Sequence, residues 1–202
     1  MSESDSEALD LTLADRVGWP DDLRVLYQRF PREMWEGHEN LGDVTQFWLA
    51  RHAMFRALVR TMARAHQSYL NQSVGADGLL KVLKPRAKLF IEQFHIHQRI
   101  EEEIFFPRFS AFDHRFAHGF DVLEADHDVL HDQLVELQLR TIKLEKALTD
   151  LTDDPRPLVE RSQCTIERMR ALLQRHLLDE EELAVPMILH HGEAAFGLTE
   201  VR

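Results

Sequence analysis

The chain has 202 residues, 44% of them apolar, a formal net charge of −11 and one cysteine, Cys164. This is enough apolar mass for one well-buried domain with an arm, and sparse Gly and Pro favour helix over sheet. The acidic balance, with no basic stripe, excludes direct binding to a nucleic-acid backbone, and a lone cysteine excludes an intrachain disulfide and fits a reducing compartment.

Residues 1–20 read as a flexible start, acidic and polar in MSESDSEALD, without the basic head or apolar run of a secretion signal. WPDDLRVLYQRF reads as a short helix opened by Pro20 and stopped before Pro31. A first long helix is expected from Asn40 to about Gln72, with Phe47, Trp48, Phe55, Leu58, Val59 and Met62 at helical steps. SVGADG ends it. A second helix runs from Leu79 to Phe106, with Leu89, Ile96, Ile100 and Ile104 as its apolar side and Pro85 as a first turn or a kink. PRFSAFDHRFAHGF reads as a loop with aromatic anchors. The third helix spans about Asp121 to Leu148, TDLTDDPRP breaks the chain, and the fourth spans about Leu158 to Leu189. Nothing reads as a strand. The expected fold is all-α, an up-down-up-down four-helix bundle over 36–192, preceded by an N-terminal arm (1–35) and followed by a tail (193–202). No apolar run approaches bilayer length, so a cytoplasmic protein with no membrane contact is expected.

Twelve histidines are many for this length, and they are ordered. HQRIEEEIFFP (97–107) and HLLDEEELAVP (176–186) share one frame at an offset of 79, which superposes His97 on His176, Glu101 on Glu180, Glu102 on Glu181, Glu103 on Glu182 and Pro107 on Pro186. The same offset carries His52 onto His131, so two helix pairs carry one plan twice. Counted from the connecting loops, these histidines reach one level to within about a turn, at ~1.5 Å per residue. Positions four apart share a helix face. His97 with Glu101, His127 with His131, and His176 with Glu180 therefore turn inward together, joined by His52.

Unpartnered buried carboxylates are costly, and metal ions remove that cost. Nitrogen and oxygen donors without thiolate, and carboxylates able to bridge, suggest two iron ions ahead of zinc or manganese. The offset sets His127 against Trp48, which does not ligate. One ion is therefore expected to take His127, His131 and His176 and the other only His52 and His97, leaving an open position for a small molecule.

These residues resemble the hemerythrin and HHE cation-binding family, over about residues 40–190: His52, His97-x3-Glu101, His127-x3-His131 and His176-x3-Glu180. The resemblance implies a non-haem di-iron centre bridged by two carboxylates and an oxo or hydroxo group, with O2, NO or peroxide at the two-histidine iron, for sensing, storage, detoxification or redox chemistry. The oxygen carriers of that family place an aspartate five residues after the last histidine, where this chain has Glu181. Glu180 is taken as the bridge and Glu181 as its substitute.

Other groups are expected to be structural. One residue in three consecutive helical positions can face inward, so Glu102, Glu103 and Glu182 are expected to be solvated or paired with Arg or Lys. His114-x3-His118 and His190-His191 copy ligand spacing outside the bundle interior. His38 and His66 are each about 21 Å along a helix axis from His52, and His95 points away from His97. Phe94, Leu173, Trp48 and Phe55 serve as core or as walls of a gas pocket, and Cys164 as a small buried residue. A ferritin-like carboxylate oxidase would instead use Glu92-x-x-His95 and Glu124-x-x-His127. An iron- or oxygen-responsive regulatory module is a third reading.

Overall fold

A computed structural model describes residues 11–150 and 154–198. The first half of the expected flexible start, and the end of the tail, lie outside the described residues. Among the described residues every element is helical: α1 (Val25–Arg29), α2 (Asp43–Leu70), α3 (Ala76–Ile100), α4 (Phe106–Phe112), α5 (Ala117–Asp150) and α6 (Arg156–His191). No described helix is long and apolar enough to cross a membrane.

Local sequence explains most of the boundaries. Asp43 and Asp77 place acids in the first turns of α2 and α3, where the helix dipole favours them. The α2 N-terminus is also capped from afar: Glu193 accepts from the Thr45 backbone N–H at 2.7 Å and from its hydroxyl at 2.6 Å. α6 stops at Gly192, whose φ of 82° suits glycine. Pro85 lies inside α3 rather than opening it. Between α3 and α4 the helix widens into a π turn over Glu101–Phe105. Pro107 follows at once, and its ring would collide with the carbonyl one turn back in a regular helix. The expected loop at 107–120 is therefore largely helical: α4, a 3-10 turn at His114–Phe116 and the start of α5. Its aromatic anchors Phe109, Phe116 and Phe120 are buried as expected.

The four long helices form a square in which α2 and α5 each pack against α3 and α6. The core is split in two. One apolar cluster takes Phe55, Val59 and Met62 from α2, Leu83 and Phe90 from α3, Leu130 and Leu134 from α5, and Ile166 and Leu173 from α6. The other takes Trp48 from α2, Phe106 and Phe109 from α4, Phe120 and Leu123 from α5, and Leu183 and Ile188 from α6. The order of the clusters along the chain alternates from helix to helix, which is the signature of up-down-up-down topology. Each fully buried Leu or Phe contributes about 1.5–3 kcal/mol, so two such clusters can offset a costly polar layer between them. That layer holds the site.

Two surfaces depart from expectation. Leu89, Ile96, Ile100 and Ile104 are 37–42% exposed, while Leu83, Ala87, Phe90 and Phe94 face the core. α3 carries two apolar stripes, and its inward stripe is interrupted by the polar pair His97 and Glu101. The unbroken stripe is the outer one. Cys164 is exposed, not buried.

Residues 11–35 lie against the bundle. Leu13 joins the first cluster, and Trp19, Leu23, Leu26 and Trp35 join the second. The arm thus runs past the polar layer, and Leu13, Arg16 and Trp19, within the stretch expected to be flexible, are 3–4% exposed.

Candidate metal centre

Each long helix sends one histidine into the layer between the clusters: His52 from α2, His97 from α3, His127 from α5 and His176 from α6, all at most 5% exposed. Two fully buried glutamates stand among them, Glu101 at the start of the π turn and Glu180 on α6. Donor atoms of His52, His97, Glu101 and Glu180 all lie within 4.8 Å of one another. His97 Nε2 is 2.8 Å from Glu101 Oε1, His127 Nε2 3.6 Å from Glu101 Oε2, and His52 Nε2 and His176 Nε2 are 3.5 and 3.7 Å from Glu180 Oε2. The indole of Trp48 donates to Glu101 Oε1 at 2.7 Å.

The outer nitrogens of three rings are tied to carboxylates. Nδ1 of His52 donates to Glu181 at 2.9 Å, Nδ1 of His127 to Glu102 at 2.6 Å, and Nδ1 of His176 to Asp126 at 3.2 Å. A carboxylate on Nδ1 fixes the proton there and turns the Nε2 lone pair inward, the arrangement that metal-ligating histidines use. The inner atoms are then left without partners: His127 Nε2, His176 Nε2, Glu101 Oε2 and both oxygens of Glu180 are buried and make no hydrogen bond. Native interiors hold only a few such groups per hundred residues, and five of the nine among the described residues converge here. His52 Nε2 and His97 Nε2 are 3.0 Å apart, the separation of two nitrogens each about 2.1 Å from a single ion at right angles. The donor set fits a cation.

Electrostatics agree with a site built for positive charge. Burial, then the charge of Glu101, pushes Glu180 well above the ordinary carboxyl value. Burial acts on Glu101 in the same direction, but His97, whose Nε2 is 2.8 Å away, holds it well below. Burial, with the neighbouring His176, brings His127 down to about 3, and burial lowers His97. Burial thus favours the neutral, ligating form of His97 and His127.

His131 is not brought to this cluster. Its side chain is exposed and its ring meets His95 at 5.3 Å. The inward stripe of α5 runs through Leu123, Asp126, His127, Leu130 and Leu134. Four residues past His127, a helix has advanced about 6 Å and turned some 40° too far. The partner of His52 across the bundle is therefore His127. The intervals differ, 45 residues from His52 to His97 and 49 from His127 to His176, so the second half carries one more helical turn. The expected three-and-two division of histidines is replaced by two pairs, His52 with His97 and His127 with His176.

The acids also depart from expectation. Asp179, Glu180 and Glu181 are consecutive and all at most 1% exposed. The rule that one in three faces inward fails because α6 is covered on several sides. Asp179 meets the arm through Arg16 and the Trp19 indole, Glu180 faces the interior, and Glu181 faces α2, bonding Arg56 and His52, and Arg32 of the arm. Glu102 is held by His127, while Glu103 is exposed and Glu182 half-buried. Sequence reading missed Asp126, Arg16, Arg32 and Arg56. The one local signal was the acid preceding a candidate ligand, Asp126 before His127. Glu92, Glu124 and His95 are exposed, with Glu92 beside Lys88, so the carboxylate-oxidase pattern is not assembled. His66 lies in the core away from the layer, bonded to Ser162 and the Met62 carbonyl. Phe55 and Phe94 pack on the His97 ring and Trp48 on His52.

No curated protein and no solved structure matches the chain. The family model described as Hemerythrin HHE cation binding domain matches residues 43–188, the span that contains all four histidines and both glutamates. The chain belongs to the hemerythrin HHE cation-binding family.

Proposed function

We propose that the chain holds two iron ions in the polar layer and uses them to bind O2 or a related small ligand, NO or peroxide. The observation that carries this reading is the convergence of five unpartnered buried donor atoms on Glu101, Glu180, His127 and His176. His52 and His97 would serve one ion and His127 and His176 the other, with Glu101 and Glu180 reaching both. Two imidazoles and two carboxylate oxygens leave each ion short of the six donors that octahedral sites take, and the vacancy is where a guest would bind. Paired iron, when bound, supplies two-electron exchange with dioxygen or peroxide and affinity for nitric oxide.

The chain's own residues supply the surroundings. Phe55, Phe94, Phe106 and Trp48 pack on the ligand rings and exclude water. Trp48 also lines an apolar pocket with Val44, Phe105, Phe109, Ala184 and Ile188, a surface suited to an uncharged diatomic rather than a hydrated ion. Glu102, Glu181 and Asp126 hold protons on the outer ring nitrogens.

Iron analysis of the purified chain, followed by visible spectra under nitrogen, under air and after return to nitrogen, tests the reading. About two irons per chain and an absorption change that follows O2, NO or peroxide are expected. Material that takes up no transition metal, or iron-loaded material blind to all three ligands, overturns it.

A further inference from the structure

We propose that Arg16 and Arg32 of the N-terminal arm are positioning residues of the metal centre. Each holds a carboxylate that orients one ligand histidine, Arg16 through Asp126 to His176 and Arg32 through Glu181 to His52. The inference rests on the reading of the site as a metal centre. It goes beyond that reading in assigning part of the centre to a segment outside the matched span of 43–188.

The Arg16 side chain is 1% exposed, although it comes from a segment before the first helix. Its guanidinium grips both oxygens of Asp126, with Nη1 to Oδ1 at 3.2 Å and Nη2 to Oδ2, and its Nε donates to Asp179 Oδ2 at 2.8 Å. Nη1 also donates to the Leu11 carbonyl at 2.7 Å. The Asp126 Oδ2 held by Arg16 is the same atom that faces His176 Nδ1. A planar fork that satisfies two buried carboxylates at once is a job for arginine; a lysine offers one point charge. The arm is fastened around this contact. Trp19 sits under the guanidinium at 5.0 Å and donates its indole N–H to the Asp179 carbonyl at 2.7 Å. Arg175 donates to the Val17 carbonyl at 3.0 Å and to Asp179.

On the other half, Arg32 donates to Glu181 Oε2 and stacks at 4.4 Å on Trp35. Glu181 Oε1 accepts from His52 Nδ1 at 2.9 Å and from Arg56 at 2.7 Å. The two halves therefore differ. Among the described residues Asp126 has Arg16 as its one guanidinium partner, whereas Glu181 keeps Arg56 when Arg32 is removed. Arg16 should matter more.

The test uses the full chain loaded with Co(II) in place of iron, challenged with excess chelator, with the visible spectrum recorded before challenge. Arg16→Met, Arg16→Lys and Arg32→Met are compared with wild type and with Leu13→Ala, which loosens the arm's packing without touching a carboxylate. Arg16→Met is expected to release metal about 10–100-fold faster, the usual effect of losing a partner behind a ligand, and to shift the Co(II) bands. Arg32→Met is expected to give a smaller acceleration, and Arg16→Lys to recover part of the loss. Should Arg16→Met fail to fold, Arg16→Lys and Arg32→Met, whose site is 43% exposed at the arginine, decide on the same readouts. Wild-type release and spectra in the arginine variants overturn the role of the arm and leave the metal centre standing, as does an equal acceleration in Leu13→Ala. A wild-type chain that takes up no Co(II) or iron overturns both.

Discussion

Nδ1 of His52 stands 2.9 Å from Oε1 of Glu181, while Glu180, the preceding residue on α6, keeps both oxygens unpartnered. Two adjacent glutamates therefore do different work. Hydrogen bonds and charge from His52 and Arg56 outweigh the burial of Glu181 and hold it down at about 2, whereas burial and the nearby Glu101 drive Glu180 upward. One is a fixed anion that orients a ring. The other is pushed toward its protonated form, a tendency that a bound cation would reverse.

Glu180→Gln should therefore stabilise the metal-free chain while removing metal binding. The folded-state value of Glu180 lies above its ordinary 4.5. Between the two values the folded chain holds a proton that the unfolded chain has released, so stability is lost as pH rises through that window. Glutamine does not titrate. Its advantage should be absent below about pH 4.5 and grow as pH rises above it, at a slope of no more than ~1.4 kcal/mol per pH unit. Urea denaturation of metal-free protein from pH 4 to 8, with metal analysis of both forms, checks this. A variant that is less stable at pH 7, or that still loads fully, contradicts it.

His127→Asn and His131→Asn should separate cleanly. The first removes an inward Nε2 with no other partner and should lower bound metal by about half or more, in line with the role of the ligand set. The second alters an exposed ring beside His95 and should leave metal content at the wild-type value. Metal per chain by elemental analysis decides, and equal losses in the two variants would restore His131 to the site.

The four rods were legible because their turn signals and apolar periodicity are strong, and the level of the site was legible because His52, His97 and His176 lie at matching distances from the loops. Glu180 was separated from Glu181 by the same frame. His131 was expected in the layer and lies outside it, because a shift of one turn preserves the helix face approximately while changing the height, and sequence spacing resolves faces better than heights. Glu102 is exposed as its helical position predicts, but its partner is His127 of α5 rather than an Arg or Lys, a contact across 25 residues that local spacing does not encode. The arm was invisible for a different reason. Arg16 meets Asp126 and Asp179 across 110 and 163 residues, and no local pattern encodes such a contact.

His66 offers a pH test independent of metal. It is fully buried, and burial lowers its value below 6.5. Below pH 6.5 the unfolded chain takes up a proton that the folded chain refuses, so the stability this group contributes is complete above that pH and falls as pH drops. Between pH 7.5 and 5.5 the metal-free wild type should lose more stability than His66→Gln, the difference growing below pH 6.5 at no more than ~1.4 kcal/mol per pH unit. Denaturant midpoints of both proteins at the two pH values check the difference. A parallel loss in both would show that this histidine titrates normally.

Gly119→Ala tests how closely the arm is fitted to the bundle. Alanine in a helix is ordinarily favoured over glycine by about 0.5–1 kcal/mol, and Gly119 lies within α5. A Cβ there, however, would stand 2.7 Å from Leu183 Cδ2 and 3.3 Å from Leu23 Cδ1 of the arm. Both leucines are buried, at 1% and 3% exposure, so neither can swing into solvent. Overpacking of this kind costs about 1–3 kcal/mol, more than the helical gain, and the net effect should be destabilising with a Tm lower by several degrees. A double-mutant cycle with Leu183→Ala should show favourable coupling, because the smaller side chain vacates the space the new methyl needs. Additive effects, or a Gly119→Ala chain more stable than wild type, would mean that the arm and α6 yield easily at this contact.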